Sequence, residues 1–218
     1  MHKDTIKFLK QLQKNNSKKW FDEHRDTYQK CRTHWIDFAS QILADLSLLD
    51  PVFIEQDPRK CIFRINRDIR FSRDKSPYKT NFGAHFVPGG KKNPRAGYYV
   101  HLEPGNCFIA GGIYRPASPE LSKIRHTLDK KFKDFENLVT TKELEKTFGE
   151  IRHDSLTNPP RGYAKDHPGL KWLKMKGFIF IKNVDDNFYD QKNARAQIEA
   201  DFKKLKPVID FINKALND

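Results

Sequence analysis

The stretch GYYVHLEPGNCFIAGGIY, residues 97–114, decides the fold. Tyr98, Val100 and Leu102 alternate with Tyr99, His101 and Glu103, the period of a strand with one apolar face. Glu103-Pro104-Gly105-Asn106 interrupts the pattern with turn residues, so Gly97–Glu103 and Asn106–Tyr114 are expected to form a hairpin. Gly111-Gly112 takes side chains out of the middle of the second strand, which lets another backbone or a ligand come close.

Working outward, Lys60–Asn66 and Lys79–Phe86 read as further strands, with Phe82, Ala84 and Phe86 opposing Asn81, Gly83 and His85. Pro88–Ala96 carries Gly89-Gly90 and Lys91-Lys92, a basic loop between strands. Gly177–Lys182 is another strand. Both ends of the chain show helical spacing instead. Asp4 is placed to cap a helix with Phe8, Leu9 and Leu12 on one side. Ser17 is placed to cap a long one from Trp20 through Leu49, ended by Asp50-Pro51. Ser118 with Pro119 starts a helix through Phe132 and Phe135, and Leu144 and Phe148 lie on a shorter one ended by Gly149. Asn158–Pro168 is irregular, Leu170–Leu173 is a short helix, and Asp190–Leu216 is an amphipathic one through Ile198, Phe202, Leu205 and Ile212. The predicted architecture is α+β. It is a single domain over residues 1–218, with a mostly antiparallel central sheet whose apolar face is covered by N- and C-terminal helices. Trp20, Trp35, Phe63, Phe82, Phe132 and Phe202 are expected to be mostly buried.

Composition fits this. A 218-residue chain with 37% hydrophobic residues and 17 Phe has the apolar supply for a core despite 32% charge. The longest apolar runs are far too short to span a bilayer, and Met1–Leu12 has no apolar signal core. Cys31, Cys61 and Cys107 form neither a metal motif nor a disulfide framework and read as buried small residues. The expected compartment is the cytoplasm. The histidines, from His2 and His24 to His153 and His167, share no ligand spacing, and no metal site is predicted. No G-x-S-x-G, Walker loop or G-x-G-x-x-G is present. Net charge is +13, from 41 Lys and Arg against 28 Asp and Glu. That permits a polyanionic partner. Lysine-studded solvated helix faces explain it as well.

The densest polar constellation is FRINRDIRFSRDKSPYK, residues 63–79. Arg64, Arg67, Arg70, Arg73, Lys75 and Lys79 face only Asp68 and Asp74. Guanidinium forks grip phosphate or carboxylate oxygens, and nearby acids hold the forks in place. Asp68 and Asp74 are also candidates for a general base or a Mg²⁺ ligand. Strand alternation adds a polar sheet face that gathers Arg64, Asn66, Asn81, His85, Tyr99 and His101. The candidate ligand-binding set is Arg64, Asn66, Arg67, Arg70, Arg73, Lys75, Tyr78, Lys79, His85, Tyr99 and His101. The same residues also fit a structural Arg–Asp network pinning a loop, and a half-solvated sheet with an ordinary polar outer face.

The stretch FRINRDIRFSRDKSPYKTNFG, residues 63–83, resembles the hallmark of the domain of unknown function 2461 family. Supporting matches are FLKQLQKNNSKKWFDEHRDTY, GYYVHLEPG, IAGGIYRPASPELSKIR, PPRGYAKDHPGL and LKMKGF. The resemblance implies a soluble single-domain protein of unassigned activity, and it supplies no catalytic residues. Three functions are expected to compete. The first is a site for an anionic, phosphate-bearing ligand on residues 64–79. The second is a nucleic-acid-binding module, and the third is a non-catalytic interaction protein. Cofactors and oligomeric state are left open, and a membrane partner is not expected.

Overall fold

The structure, a computed structural model, describes residues 3–151 and 154–217, so His2 and His153 lie outside the described residues. Helices α1 (Lys3–Lys14), α2 (Lys18–Glu23), α3 (Arg25–Leu49) and the short α4 (Pro58–Cys61) come first. Strands β1 (Phe82–Phe86), β2 (Gly97–Leu102) and β3 (Cys107–Ile113) follow. Then come α5 (Ser118–Val139), α6 (Lys142–Phe148), α7 (Leu170–Leu173), β4 (Phe178–Val184) and α8 (Ala194–Asn217). The four strands make one antiparallel sheet in the order β1-β2-β3-β4, and the architecture is α+β. The residues group into two compact units. One comprises Met1–Phe86, Tyr99–Ile109 and Asn183–Glu199; the other comprises Val87–Tyr98, Ala110–Lys182 and Ala200–Asp218.

In the first unit the apolar stripe of α3 supplies Trp35 and Phe38. The Trp35 ring lies 6.0 Å from Phe82, and its indole N–H donates to the Gly83 carbonyl at 3.4 Å. Tyr189 meets Phe38 edge-on at 5.6 Å. In the second unit Phe202 of α8 packs on Tyr98 at 4.6 Å, and Phe135 of α5 meets Trp172 and Phe178 edge-on. Such edge-to-face pairs add to area burial. Gly112, with φ 127°, brings β3 so close to β4 that a Cβ there would stand 1.9 Å from the Phe178 carbonyl oxygen. All three cysteines are buried, and none forms a disulfide among the described residues. Among the described residues, no helix is long and apolar enough to cross a membrane.

Several sequence expectations need correction. Lys60–Asn66 is not a strand. Asp57 caps a helical turn that Pro58 opens, and only two isolated bridges, Ile62 to Ala84 and Asn66 to Tyr78, remain of the pairing. Residues 63–66 therefore lose the strict two-residue alternation: Ile62 and Ile65 are buried, but Phe63 is 37% exposed. Trp20 and Phe132 are half-buried, whereas Trp35, Phe82 and Phe202 are buried as expected. The long helix capped by Ser17 breaks at His24 (φ −111°, ψ 17°), which stacks on Trp20 at 4.0 Å and bonds that residue's carbonyl. Ala117, not Ser118, is the N-cap of α5, and α8 starts at Ala194 after a 3-10 turn over Phe188–Asp190.

Candidate functional site

The Arg/Asp segment is a loop closed at its base by strand-like bonds. Lys79 N–H donates to the Ile65 carbonyl at 2.8 Å and Arg67 N–H to the Pro77 carbonyl at 2.9 Å. Asn16, at the junction of α1 and α2, clamps the closure from outside. Its amide donates to the Tyr78 carbonyl at 2.8 Å, and its carbonyl accepts from Tyr78 N–H at 3.1 Å. That side chain imitates a neighbouring strand, and the buried Tyr78 ring stacks on Phe21 at 3.9 Å.

Inside the loop the four arginines separate into two kinds. The half-buried Arg67 pairs with Asp74, donates to the Ser76 carbonyl at 3.1 Å and to its hydroxyl, and reaches the Ser72 hydroxyl at 3.3 Å. The backbone N–H and the hydroxyl of Ser76, with Arg67 behind them, hold the Asp74 carboxyl down at about 2. Arg70 forks onto Asp68 with Nε to Oδ1 at 2.9 Å and Nη2 to Oδ2 at 2.7 Å. That fork keeps Asp68 below the usual carboxylate range. Lys75 donates to the Ile69 carbonyl at 3.0 Å. Arg64 and Arg73 are exposed and make no ion pair among the described residues. Lys79 lies 5.3 Å from the Phe63 ring centroid, a cation–π contact.

A second polar cluster stands on the sheet. Successive same-face residues of β2 and its turn form a chain. Tyr99 O–H donates to His101 Nδ1 at 2.8 Å, and His101 Nε2–H donates to Glu103 at 3.2 Å. Glu103 also accepts from Thr80 at 2.9 Å and from Asn106 at 2.8 Å. An ionised carboxylate only accepts, so the neutral imidazole carries its proton on Nε2 and turns Nδ1 toward Tyr99. His101 stacks on Phe108 at 4.4 Å, and its backbone N–H donates to the Tyr189 hydroxyl at 3.2 Å. Gly83 leaves room beneath the chain, since a Cβ there would meet the Tyr99 hydroxyl at 2.3 Å.

The expected grouping of Arg64 and Asn66 with His85, Tyr99 and His101 is only half realised. His85 and Tyr99 share the face, with ring centroids 6.1 Å apart. From the loop, however, it is Phe63 that meets Tyr99, at 6.2 Å. Arg64 and Asn66 make no hydrogen bond to this cluster among the described residues, because residues 63–66 do not alternate as a strand. Thr80, Glu103, Asn106 and Tyr189 complete the network and were absent from the candidate set. The spacing Tyr99-x-His101-x-Glu103 is the sequence signal by which Glu103 would have been found.

Burial raises the Tyr99 phenol well above its ordinary value and lowers both imidazoles, His85 to about 4. Burial pushes Glu103 up, but its hydrogen bonds from Asn106, Thr80 and His101 outweigh that and leave it below its ordinary value. A histidine depressed in the folded state takes up its proton first in the unfolded chain. Stability is therefore expected to fall as pH drops from the unfolded value of 6.5 toward about 4, with a limiting slope of roughly 1.4 kcal/mol per pH unit for each such histidine. Urea midpoints across that range should show a shallower decline in His85→Gln; an unchanged slope would refute the assignment.

A family model described as "Conserved hypothetical protein (DUF2461)" matches residues 4–211. The chain belongs to the DUF2461 family. The matched span contains the whole of the Asn16-clamped loop and the Tyr99–His101–Glu103 chain. No curated protein and no solved structure matches significantly. The residue roles in this DUF2461 member therefore rest on its own geometry. Among its described residues no three His, Cys, Asp or Glu side chains gather where a metal ion could be held.

Proposed function

We propose that the loop over residues 64–79 binds an anionic, phosphate-bearing ligand through Arg64 and Arg73. The supporting observation is the division among the arginines. Arg67 and Arg70 are consumed by Asp74 and Asp68, which stiffens the loop, while Arg64 and Arg73 are exposed and make no ion pair among the described residues, Arg64 acting on Asp68 through its charge alone. A pre-stiffened loop loses little conformational freedom on binding, and guanidinium forks match phosphate oxygens in pairs. Lys79 and Lys75 add positive charge nearby. In this reading Asp68 and Asp74 position arginines. A carboxyl at about 2 is a poor proton acceptor at neutral pH, so Asp74 is not assigned as a base.

Single alanine variants test the division. Arg67→Ala, which strips several hydrogen bonds from a half-buried group, should lose about 1 to 3 kcal/mol in chemical denaturation. Arg64→Ala and Arg73→Ala should stay within about 0.5 kcal/mol of the parent. They should instead lose the melting-temperature rise that pyrophosphate gives the parent. Equal destabilisation by all three, with no anion raising the melting temperature, would leave the loop a structural network. A steep salt dependence of binding to a short oligonucleotide, with no response to pyrophosphate, would favour a polynucleotide partner instead.

A further inference from the structure

The second unit holds a cavity of about 250 Å3 where the end of β3 meets the start of β4. It is lined by Ile179 and Ile181, two half-buried side chains on the same side of β4, and by the exposed Tyr114. Arg115, Lys176 and Asp154 supply its charges. Arg115 is the one non-glycine residue with positive φ, 45°, among the described residues. Such a conformation persists only where the surroundings over-determine it, and it clusters at ligand clamps. The surroundings here are specific. The backbone N–H of Arg115 lies over Gly177, where a Cβ would approach its nitrogen to 3.1 Å. Its guanidinium sits 5.4 Å from the Tyr114 ring centroid and donates one N–H to Asp154 at 2.6 Å. Other donors of the fork remain for a ligand oxygen.

We infer that this cavity binds a small amphiphilic monocarboxylate, with the carboxylate on Arg115 and Lys176 and an aromatic or branched apolar body over Ile179 and Ile181. Among the described lining residues, two cations against one carboxylate leave one net positive charge, which suits a monoanion better than a phosphate dianion. The volume lies just below the usual range for drug-sized ligands, so the body is of fragment size. Asp154 positions the guanidinium and disfavours a ligand carrying further negative charge.

Phenylacetate is the probe, read by the methyl resonances of Ile179 and Ile181. Saturable shifts are expected at millimolar concentration, with acetate at least about tenfold weaker because it lacks the apolar body, and with none for benzylamine. Arg115→Gly accepts the left-handed backbone freely. It should keep the parent's spectrum and weaken phenylacetate at least about tenfold. Lys176→Ala, at an exposed position, should weaken it as well. The inference is overturned if phenylacetate gives no saturable shift up to about 20 mM, if benzylamine binds equally well, or if both variants keep the parent's affinity.

Discussion

Gly112→Ala should abolish the folded state or cost more than about 4 kcal/mol, a large share of the roughly 5–15 kcal/mol a domain of this size has in total. Two penalties combine. The backbone φ of 127° is one that L side chains rarely adopt, and the added Cβ would stand 1.9 Å from the Phe178 carbonyl oxygen and 3.0 Å from its carbon. Both obstacles are backbone of β4, so neither can rotate away, and separating the strands would break their pairing. Gly111→Ala is the control. Its nearest obstacle, at 2.7 Å, is Leu205 Cδ1, the tip of a flexible side chain. A smaller loss, about 1 to 3 kcal/mol, is expected there. Urea denaturation of the two variants measures the difference, and Gly112→Ala within about 1 kcal/mol of the parent would contradict the β3–β4 geometry.

Glu103→Ala should cost about 2 to 4 kcal/mol, the scale for stranding several donors around a half-buried charge. Thr80, Asn106 and His101 all donate to this carboxylate. Without it, His101 also loses the charge that offsets burial, and its pKa should fall further. Glu103→Gln keeps the shape but turns an amide N–H₂ toward one set of donors. It should recover part of the stability, with a new proton position on His101 visible by nitrogen NMR. A Glu103→Ala protein as stable as the parent, with unchanged His101 titration, would show that the chain from Tyr99 to Glu103 holds nothing in place.

The hairpin was legible because its signals agreed. Alternation in Gly97–Glu103 and the Pro104-Gly105 turn both call for two strands, and Asn106 N–H closes the turn on the Glu103 carbonyl at 2.9 Å. The terminal helices were legible from apolar spacing, and family membership from the long motif over residues 63–83. The failures share a cause, which is that local pattern is silent about long-range partners. Residues 60–66 look like a strand, yet Asp57 and Pro58 start a helical turn, and the clamp that shapes the loop comes from Asn16, 62 residues before Tyr78. Phe63 belongs to an apolar alternation in the sequence, but the broken register turns it onto Tyr99. The gathering of Arg67 onto Asp74 depends on the serines at 72 and 76, whose hydroxyls do not announce a partner. Arg115 gave no signal, since a left-handed arginine is a consequence of how tightly β3 and β4 approach.

In the function proposed above, Arg64 and Arg73 form the anion-gripping part of a loop stiffened by Arg67 and Arg70. Calorimetric titration of pyrophosphate at low salt, into the parent and into the double variant Arg64→Ala/Arg73→Ala, tests it most directly. Saturable binding to the parent and at least about tenfold weaker binding to the double variant are expected, with the melting temperature of the ligand-free protein unchanged. Equal affinity in the two proteins, or no binding to the parent, would contradict it.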